Sequence, residues 1–384
     1  MLTLIENGEI YGPEPQGRNA ILLMDGKVAK IGGVDRRGLQ SLGLEVEIID
    51  ATGCIVTPGF IDPHEHLLGG SGEKGFSTQT PEIYLSEIVG GGITTVVGCL
   101  GADTTMKTMP GLLAKAKGLK EEGVSAFIWS GGYTVPPTTI MKTIRDDILF
   151  IDEVIGAGEV AISDDRSTEP HLRELARLVS DAHAGGMLSR KAGVTHFHTG
   201  GGSERLSLLR ELLDRYEIEP GWLYATHVGR SQSLMEEAIE LAHRGCFVDI
   251  DTVEEDLPKW LGFYLERGGN LDHLTASSDA SITSPRNLYE QVRACAVAHG
   301  FPIEQVLKLV TSNTARALRL ENKGRLEVGK DADVLVMKKR SLEIVDVIAG
   351  GRRMVRRGEM IITENSMEDS NRSITLRGRK TARD

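Results

Sequence analysis

What this 384-residue sequence has little of narrows it at once. It holds four cysteines, Cys54, Cys99, Cys246 and Cys295, none of them in a CxxC pair. That fits a reducing cytoplasm better than a disulfide framework. Small buried hydrophobes is the ordinary reading of such residues. Cations are in short supply: 44 Lys+Arg against 55 Asp+Glu give a formal charge of −11, which argues against nucleic acid and anionic membrane as partners. No apolar run approaches the roughly 20 residues of a membrane helix. The N-terminus lacks the basic start, apolar core and small-residue cleavage site of a leader. A cytoplasmic protein is expected. Apolar content of 40% and charged content of 26% are ordinary for a globular chain, one long enough for a large barrel or two domains.

Residues 1–57 alternate short apolar runs with turns: MLTLIENGEIYG, AILLMDGKVAKIGG, VEIIDATGCIVTPG. Asp25-Gly26 between apolar flanks is a hairpin signal, so this stretch reads as the N-terminal part of a small β domain. Over residues 58–324 the texture becomes strand, turn, helix, repeated. The expected strands are FIDPHEH, TTVVGCL, SAFIWSGG, VAISD, VTHFH, WLYATH, FVDID and HLTASSD. Between them, stretches such as PEIYLSEIVGGG, PHLRELARLVSDAHA, SERLSLLRELLDRYE and SLMEEAIELAHRG space apolar residues by three and four, as amphipathic helices do. Strands apolar and β-branched throughout are buried on both faces, as in a parallel sheet. Eight such units in about 250 residues predict an α/β fold, a closed (β/α)8 TIM-type barrel. A doubly wound open sheet would alternate in the same way. A helix is expected over 302–320. Residues 325–363 return to strand texture and predict the C-terminal part of the β domain, a small β-sandwich built from both chain ends. Residues 364–384 are charge-rich and predict a polar tail.

Side chains alternate across a strand, so His64 and His66 in PHEH point the same way. At the C-terminal end of a barrel strand that face opens where barrel enzymes react. Two neutral imidazoles there suit a metal, although an isolated HxH also arises by chance. Other strand ends carry the same donors. VTHFH ends in His198, LYATH in His227 and TASSD in Asp279, while GEVAISD carries Glu159. His171, His183, His243, His273 and His299 lie in helical or loop stretches and read as surface or packing residues. His196 shares a face with His198, an ambiguity that spacing leaves open.

TPGFIDPHEH, the strand-five and strand-six histidines, the strand-eight aspartate and GKDADVLVM together resemble the amidohydrolase superfamily of metal-dependent hydrolases, over nearly the whole chain. The resemblance implies two divalent metal ions. His64, His66 and Asp279 would serve one, His198 and His227 the other, and an anion from strand four would bridge them. Zinc suits imidazole and carboxylate ligands, as do other metals. Many relatives carry a carboxylated lysine at the bridge; this chain has Glu159, of equal charge and shorter reach. A Glu-bridged pair independent of CO2 is therefore expected, with a one-metal site as its alternative. The preceding GAG would permit a bulge that brings the carboxylate closer. The resemblance favours His198 as ligand and His196 as a deeper packing residue.

GGSGEKG, SGGYTVPP, AISDDRS, THVGR and SSDAS narrow the resemblance to the isoaspartyl (β-aspartyl) dipeptidase family. It implies that Glu73 meets the substrate's α-ammonium, with Gly75 of the same loop as a further contact. Tyr133 would donate to the developing oxyanion. Arg166 and Arg230 would grip carboxylates, helped by Thr283 where a serine is usual. These residue types fit on their own terms, since a dipeptide with extra carboxylates needs one anion and at least two cations, and a guanidinium fork matches a carboxylate. Asp165 stands where the family has histidine, and its role is open. The implied reaction is hydrolysis of β-aspartyl dipeptides by a hydroxide held between the metals, with Asp279 passing its proton to the leaving amine. Two other readings stand beside it. One is a hydrolase of cyclic amides such as a hydantoin or dihydroorotate, which would need no Glu73. The other is a non-catalytic scaffold of the same fold, against which the full ligand inventory speaks. A homo-oligomer is implied by resemblance alone.

Overall fold

The computed structural model describes residues 2–372 except Leu42, Ser71, Glu255 and Asp369. At its centre lie eight parallel strands: Phe60–Glu65, Ile93–Gly98, Ser125–Ser130, Val154–Ile162, Val194–Thr199, Leu223–Thr226, Phe247–Asp251 and Leu274–Ser277. They are hydrogen-bonded to one another in chain order. The ring closes beyond strand eight, where Asp279 N donates to His64 O and His66 N donates to Ala280 O, both at 3.0 Å. Asp62 Oδ1 reinforces that seam by accepting from Ser278 N at 3.1 Å and His64 N at 3.2 Å. Every residue of Phe60–Glu65 and of Val154–Ile162 is buried, the ionisable Asp62, His64, Glu65 and Glu159 among them, as strands covered on both faces require. This is the expected (β/α)8 barrel.

A helix follows each strand: Leu85–Gly90, Met109–Glu122, Ile144–Phe150, Leu172–Ser189, Ser207–Arg215, Gln232–Arg244, Leu257–Glu266 and Arg286–Val297. Their apolar stripes face the strands, with Leu175, Val179 and Ala182 on one and Leu234, Ala238 and Leu241 on another. The helix expected over 170–184 runs on to Ser189 because its glycines pack backbone to backbone. A Cβ on Gly186 would stand 2.4 Å from Gly193 Cα. The helix expected over 302–320 is two, Ile303–Leu309 and Ser312–Ala317. Thr311 parts them with φ −136° and ψ −94°, its hydroxyl donating to Leu307 O at 2.6 Å.

The chain ends build a second sheet of nine strands. Leu2–Tyr11, Pro15–Met24, Lys27–Ile31, Val46–Asp50 and Cys54–Pro58 come from one end; Val334–Lys338, Ile344–Ala349, Arg352–Arg356 and Glu359–Met360 come from the other. Cys54–Pro58 runs antiparallel to Val334–Lys338 and joins the two contributions, with Val56 opposite Val336. Asp25 and Gly26 take φ of 51° and 72°, the mirror-image turn their hairpin needs. Ile10, Ile21, Val28, Val56, Val334 and Ile348 form a core separate from the barrel's. The chain passes from sheet to barrel through Gly59 alone, where a Cβ would meet Thr94 Oγ1 at 2.3 Å.

The segment expected as a polar tail begins docked against the barrel. Ser86 N donates to Glu364 Oε1 at 3.0 Å and Asn365 N to Glu122 Oε1 at 3.1 Å. Residues 373–384 of that expectation lie outside the described residues. Among the described residues no helix is long and apolar enough to cross a membrane.

Candidate active site

The barrel gathers the six predicted metal-ligating side chains at the C-terminal ends of strands one, four, five, six and eight. Glu159 stands in the middle. His64 Nε2 lies 3.0 Å from its Oε2, His198 Nδ1 3.3 Å, His227 Nε2 3.6 Å, and His66 Nε2 is 3.7 Å from Oε1. Asp279 Oδ1 approaches the first pair, at 3.1 Å from His66 Nε2 and 3.4 Å from His64 Nε2. His227 and Asp279 adopt left-handed φ of 64° and 47° just past their strands. That conformation is costly for non-glycine residues and is characteristic of functional positions.

The GAG segment does bend strand four. Its pairing with strand five changes register between Ala157 and Val160, and Gly158 has φ 146° with His196 Cβ 2.8 Å from where a side chain would begin. Glu159 is fully buried. Burial alone would raise its carboxyl, yet the imidazoles of His64 and His198 hold it well below the usual range. Burial and neighbouring histidines, His64 foremost, oppose one another at Asp279 in the same way, and its carboxyl too is lowered. The reverse holds for the bases. Against burial, the Glu159 charge raises His64 well above normal, and Asp251 raises His227 to about 9.

At the centre of this cluster, two of the described buried polar atoms that lack a partner stand side by side, against the rule that such groups are paired. His64 Nε2 and Glu159 Oε1 are buried with no hydrogen bond; the 3.0 Å approach of His64 to Glu159 is misaligned for one. Donor atoms of His64, His66, Cys99 and Glu159 lie within 4.8 Å of one another, as do those of Glu159, His198 and His227. Imidazole and carboxylate lone pairs converging on one buried point, with His64 Nε2 and Glu159 Oε1 unpaired, fit divalent cations.

Behind the convergent atoms stand residues that sequence reasoning did not single out. Asp251, ending strand seven in FVDID, receives His227 Nδ1 at 2.8 Å. Cys99, one residue past strand two and read as a packing residue, sets Sγ 3.6 Å from His66 Nδ1. Both lie at C-terminal strand ends, the signal that could have found them. His196 sits one layer deeper. Its Nε2 is 3.3 Å from His64 Nδ1, and its ring stacks on Trp129 at 5.1 Å between centroids. His183 stacks on Trp222 and His273 on Phe247, both away from the site.

Over this centre opens a cavity of about 190 Å³, walled by His66, Tyr133, His198 and Asp279 and by Glu73, Arg166, Arg230 and Thr283. The Tyr133 hydroxyl is 2.8 Å from His198 Nδ1. Burial and the Glu159 charge push that phenol well above its ordinary value, so it keeps its proton. Thr283 Oγ1 is buried without a partner. Arg166 and Glu73 hold each other, Nη1 to Oε1 at 2.6 Å. Asp164 takes the remaining edge of Arg166, from Nε at 2.8 Å and Nη2 at 2.9 Å. Arg230 is looser, its Nη1 3.8 Å from Asp164 Oδ2.

Asp165, whose role the sequence leaves open, and Gly75 stand off the cavity wall. Asp165 is exposed, and it is Asp164 that turns inward. Gly75 opens a short turn, Phe76–Thr78, while Gly69 and Gly70 of the same loop line the cavity instead. Lys107 and Asp103, from the loop after strand two, also line it unforeseen. Lys107 Nζ donates to Leu68 O at 2.6 Å, and Asp103 Oδ2 is buried without a partner.

Comparison with known proteins places this geometry in context. Residues 55–354 match the amidohydrolase family. A crystal structure of β-aspartyl dipeptidase from Fervidobacterium islandicum AW-1 is similar at TM-score 0.90 and 40% identity, over 94% of this chain and 99% of that one. Its complex with β-Asp-Leu is similar at TM-score 0.90 and 38% identity, over 94% and 98%. A D-hydantoinase structure shares 18% identity at TM-score 0.65, a likeness of fold alone. Imidazolonepropionase from Myxococcus xanthus is 29% identical over 134 residues, 34% of this chain and 32% of that protein. The chain thus spans about a third of that relative's length.

Proposed function

The chain belongs to the amidohydrolase family, and from that premise we propose that it is a metal-dependent dipeptidase that hydrolyses β-aspartyl dipeptides. The observation that carries the reading is the cavity's charge layout: Glu73, Arg166 and Arg230 on its wall directly above a buried imidazole–carboxylate cluster. A β-aspartyl dipeptide brings one ammonium and two carboxylates, the complement of that wall. A cyclic amide has no free ammonium and gives Glu73 nothing to meet. At 38–40% identity over nearly their whole length, the β-aspartyl dipeptidase structures support the same choice.

His64, His66, Asp279 and Glu159 would hold one divalent cation, and Glu159, His198 and His227 a second, zinc by ligand preference. When bound, such ions supply Lewis-acid polarisation of the scissile carbonyl and a water that ionises near neutral pH. The residues divide the remaining work. Asp279, anionic and open to the cavity, takes the proton of the attacking water and delivers it to the leaving amine. Tyr133 stays protonated and donates its hydroxyl hydrogen to the oxygen that gains charge. Glu73 leaves Arg166 for the substrate ammonium, which frees Arg166 Nη1 for a carboxylate; Arg230 and Thr283 provide further donors. The same reading includes a cytoplasmic homo-oligomer, on the unpaired cysteines and the family resemblance.

Hydrolysis of β-Asp-Leu beside α-Asp-Leu by the zinc-loaded protein tests it. Cleavage of the β isomer with the α isomer intact is expected. Cleavage of α-Asp-Leu alone, or of a hydantoin with neither dipeptide, would reject it.

A further inference from the structure

Asp164 is buried and touches both halves of the site. Its Oδ1 accepts from the Arg166 backbone N at 2.9 Å and from Nε at 2.8 Å. Its Oδ2 accepts from Arg166 Nη2 at 2.9 Å and lies 3.1 Å from His198 Nε2. A carboxylate only accepts, so that last contact is a hydrogen bond when His198 carries its proton on Nε2. The lone pair is then on Nδ1, which is 3.3 Å from Glu159 Oε2 and 2.8 Å from the Tyr133 hydroxyl. Arg166 Nη2 and His198 Nε2 stand only 3.1 Å apart. In that tautomer both nitrogens donate to Asp164 Oδ2, whereas the opposite tautomer would have His198 Nε2 accept from Arg166 Nη2.

We propose that Asp164 is a positioning residue that orients His198 and Arg166 with one carboxylate, so that cation retention beside Glu159 and grip on the substrate carboxylate strengthen each other. Through His198 it presents Nδ1 to the cation. Through the Nε–Nη2 edge it aims Nη1 of Arg166 at the cavity. Linkage makes the effect mutual: whatever factor a bound cation adds to substrate affinity, the substrate adds to the cation's. The substrate arm rests on the dipeptidase reading, and the metal arm stands without it.

The test uses full-length Asp164→Ala and Asp164→Asn, with the exposed Asp165→Asn as control. Zinc per chain is read by elemental analysis after dialysis against a competing chelator, and KM and kcat for β-Asp-Leu are read at saturating zinc. In Asp164→Ala, zinc affinity should fall about ten- to hundredfold, the usual loss when the partner of a metal-bound histidine is removed. KM should rise severalfold even at saturating zinc, and more than kcat falls. Asp164→Asn, which keeps the size and one acceptor, should lie between; it carries the test if the alanine variant does not fold by circular dichroism. Asp165→Asn should match wild type. Wild-type zinc retention in both Asp164 variants overturns the proposal, and so does zinc loss with KM unchanged at saturation. A wild-type protein that binds zinc yet leaves β-Asp-Leu intact would reject the function reading, while zinc retention would still decide the role of Asp164.

Discussion

Two clusters of buried charge in this molecule are finished to different degrees. Where the barrel meets the second sheet, Lys323 is 7% exposed, with Nζ 2.5 Å from Asp333 Oδ2 and 3.0 Å from Asp331 Oδ2. The remaining oxygens are also taken: Gly350 N donates to Asp333 Oδ1 at 2.7 Å and Lys27 to Asp331 Oδ1 at 2.6 Å. At the barrel mouth, His64 Nε2, Glu159 Oε1, Asp103 Oδ2 and Thr283 Oγ1 are left without partners. A closed cluster contributes rigidity, because all of its desolvation is offset from within. An open one leaves part of that offset to a ligand. Incomplete satisfaction, rather than charge as such, separates the barrel-mouth cluster from the Lys323 cluster.

Substitutions at the two clusters should therefore fail differently. Glu159→Gln removes the anion around which four imidazoles converge. It should lower kcat/KM for β-Asp-Leu by about a thousandfold or more, the rate equivalent of several kcal/mol of Lewis-acid assistance, and lower bound metal in the same samples. A variant that kept both would erase the distinction. Lys323→Ala leaves the buried Asp333 carboxylate without its cation beside the partly exposed Asp331, and should cost about 3 kcal/mol of stability. It would be read as a lower thermal midpoint, with kcat/KM of the still-folded protein near wild type.

The smallest effect is in acid. Burial opposes it, but Lys323 and Lys27 hold Asp331 below its ordinary value of 3.8. A folded-state value below the unfolded one gives stability that is complete above the unfolded value and disappears as pH falls through the folded one. Thermal melts below about pH 4 should thus decline more steeply for wild type than for Asp331→Asn. Parallel declines would remove Asp331 from the account.

Legibility in the sequence followed periodicity. Eight apolar strands and their helices could be read because burial on both faces leaves no polar alternation to confuse them. His64, His66, Glu159, His198, His227 and Asp279 stood out because rare donor types recur at strand ends. Asp251 and Cys99 occupy equivalent places but look like ordinary strand residues. Asp164 and Asp165 are adjacent acids, and which one turns inward depends on the course of the loop after strand four. The helix over 302–320 was misjudged for a like reason, since the Thr311 break comes from a backbone rotation that local propensity does not announce.

Local chemistry written along the chain is enough to specify the barrel, the contribution of both ends to a second sheet, and the donor inventory. Those properties depend on side-chain type and on the short-range repeat of strand and helix. Partnership is another matter. That Glu73 rests on Arg166, that Asp164 spans a histidine and an arginine, and that His64 Nε2 and Glu159 Oε1 go without hydrogen bonds depend on side-chain angles. Only closure of the ring sets those angles, because it brings together segments as distant along the chain as Glu73 and Arg166, 93 residues apart.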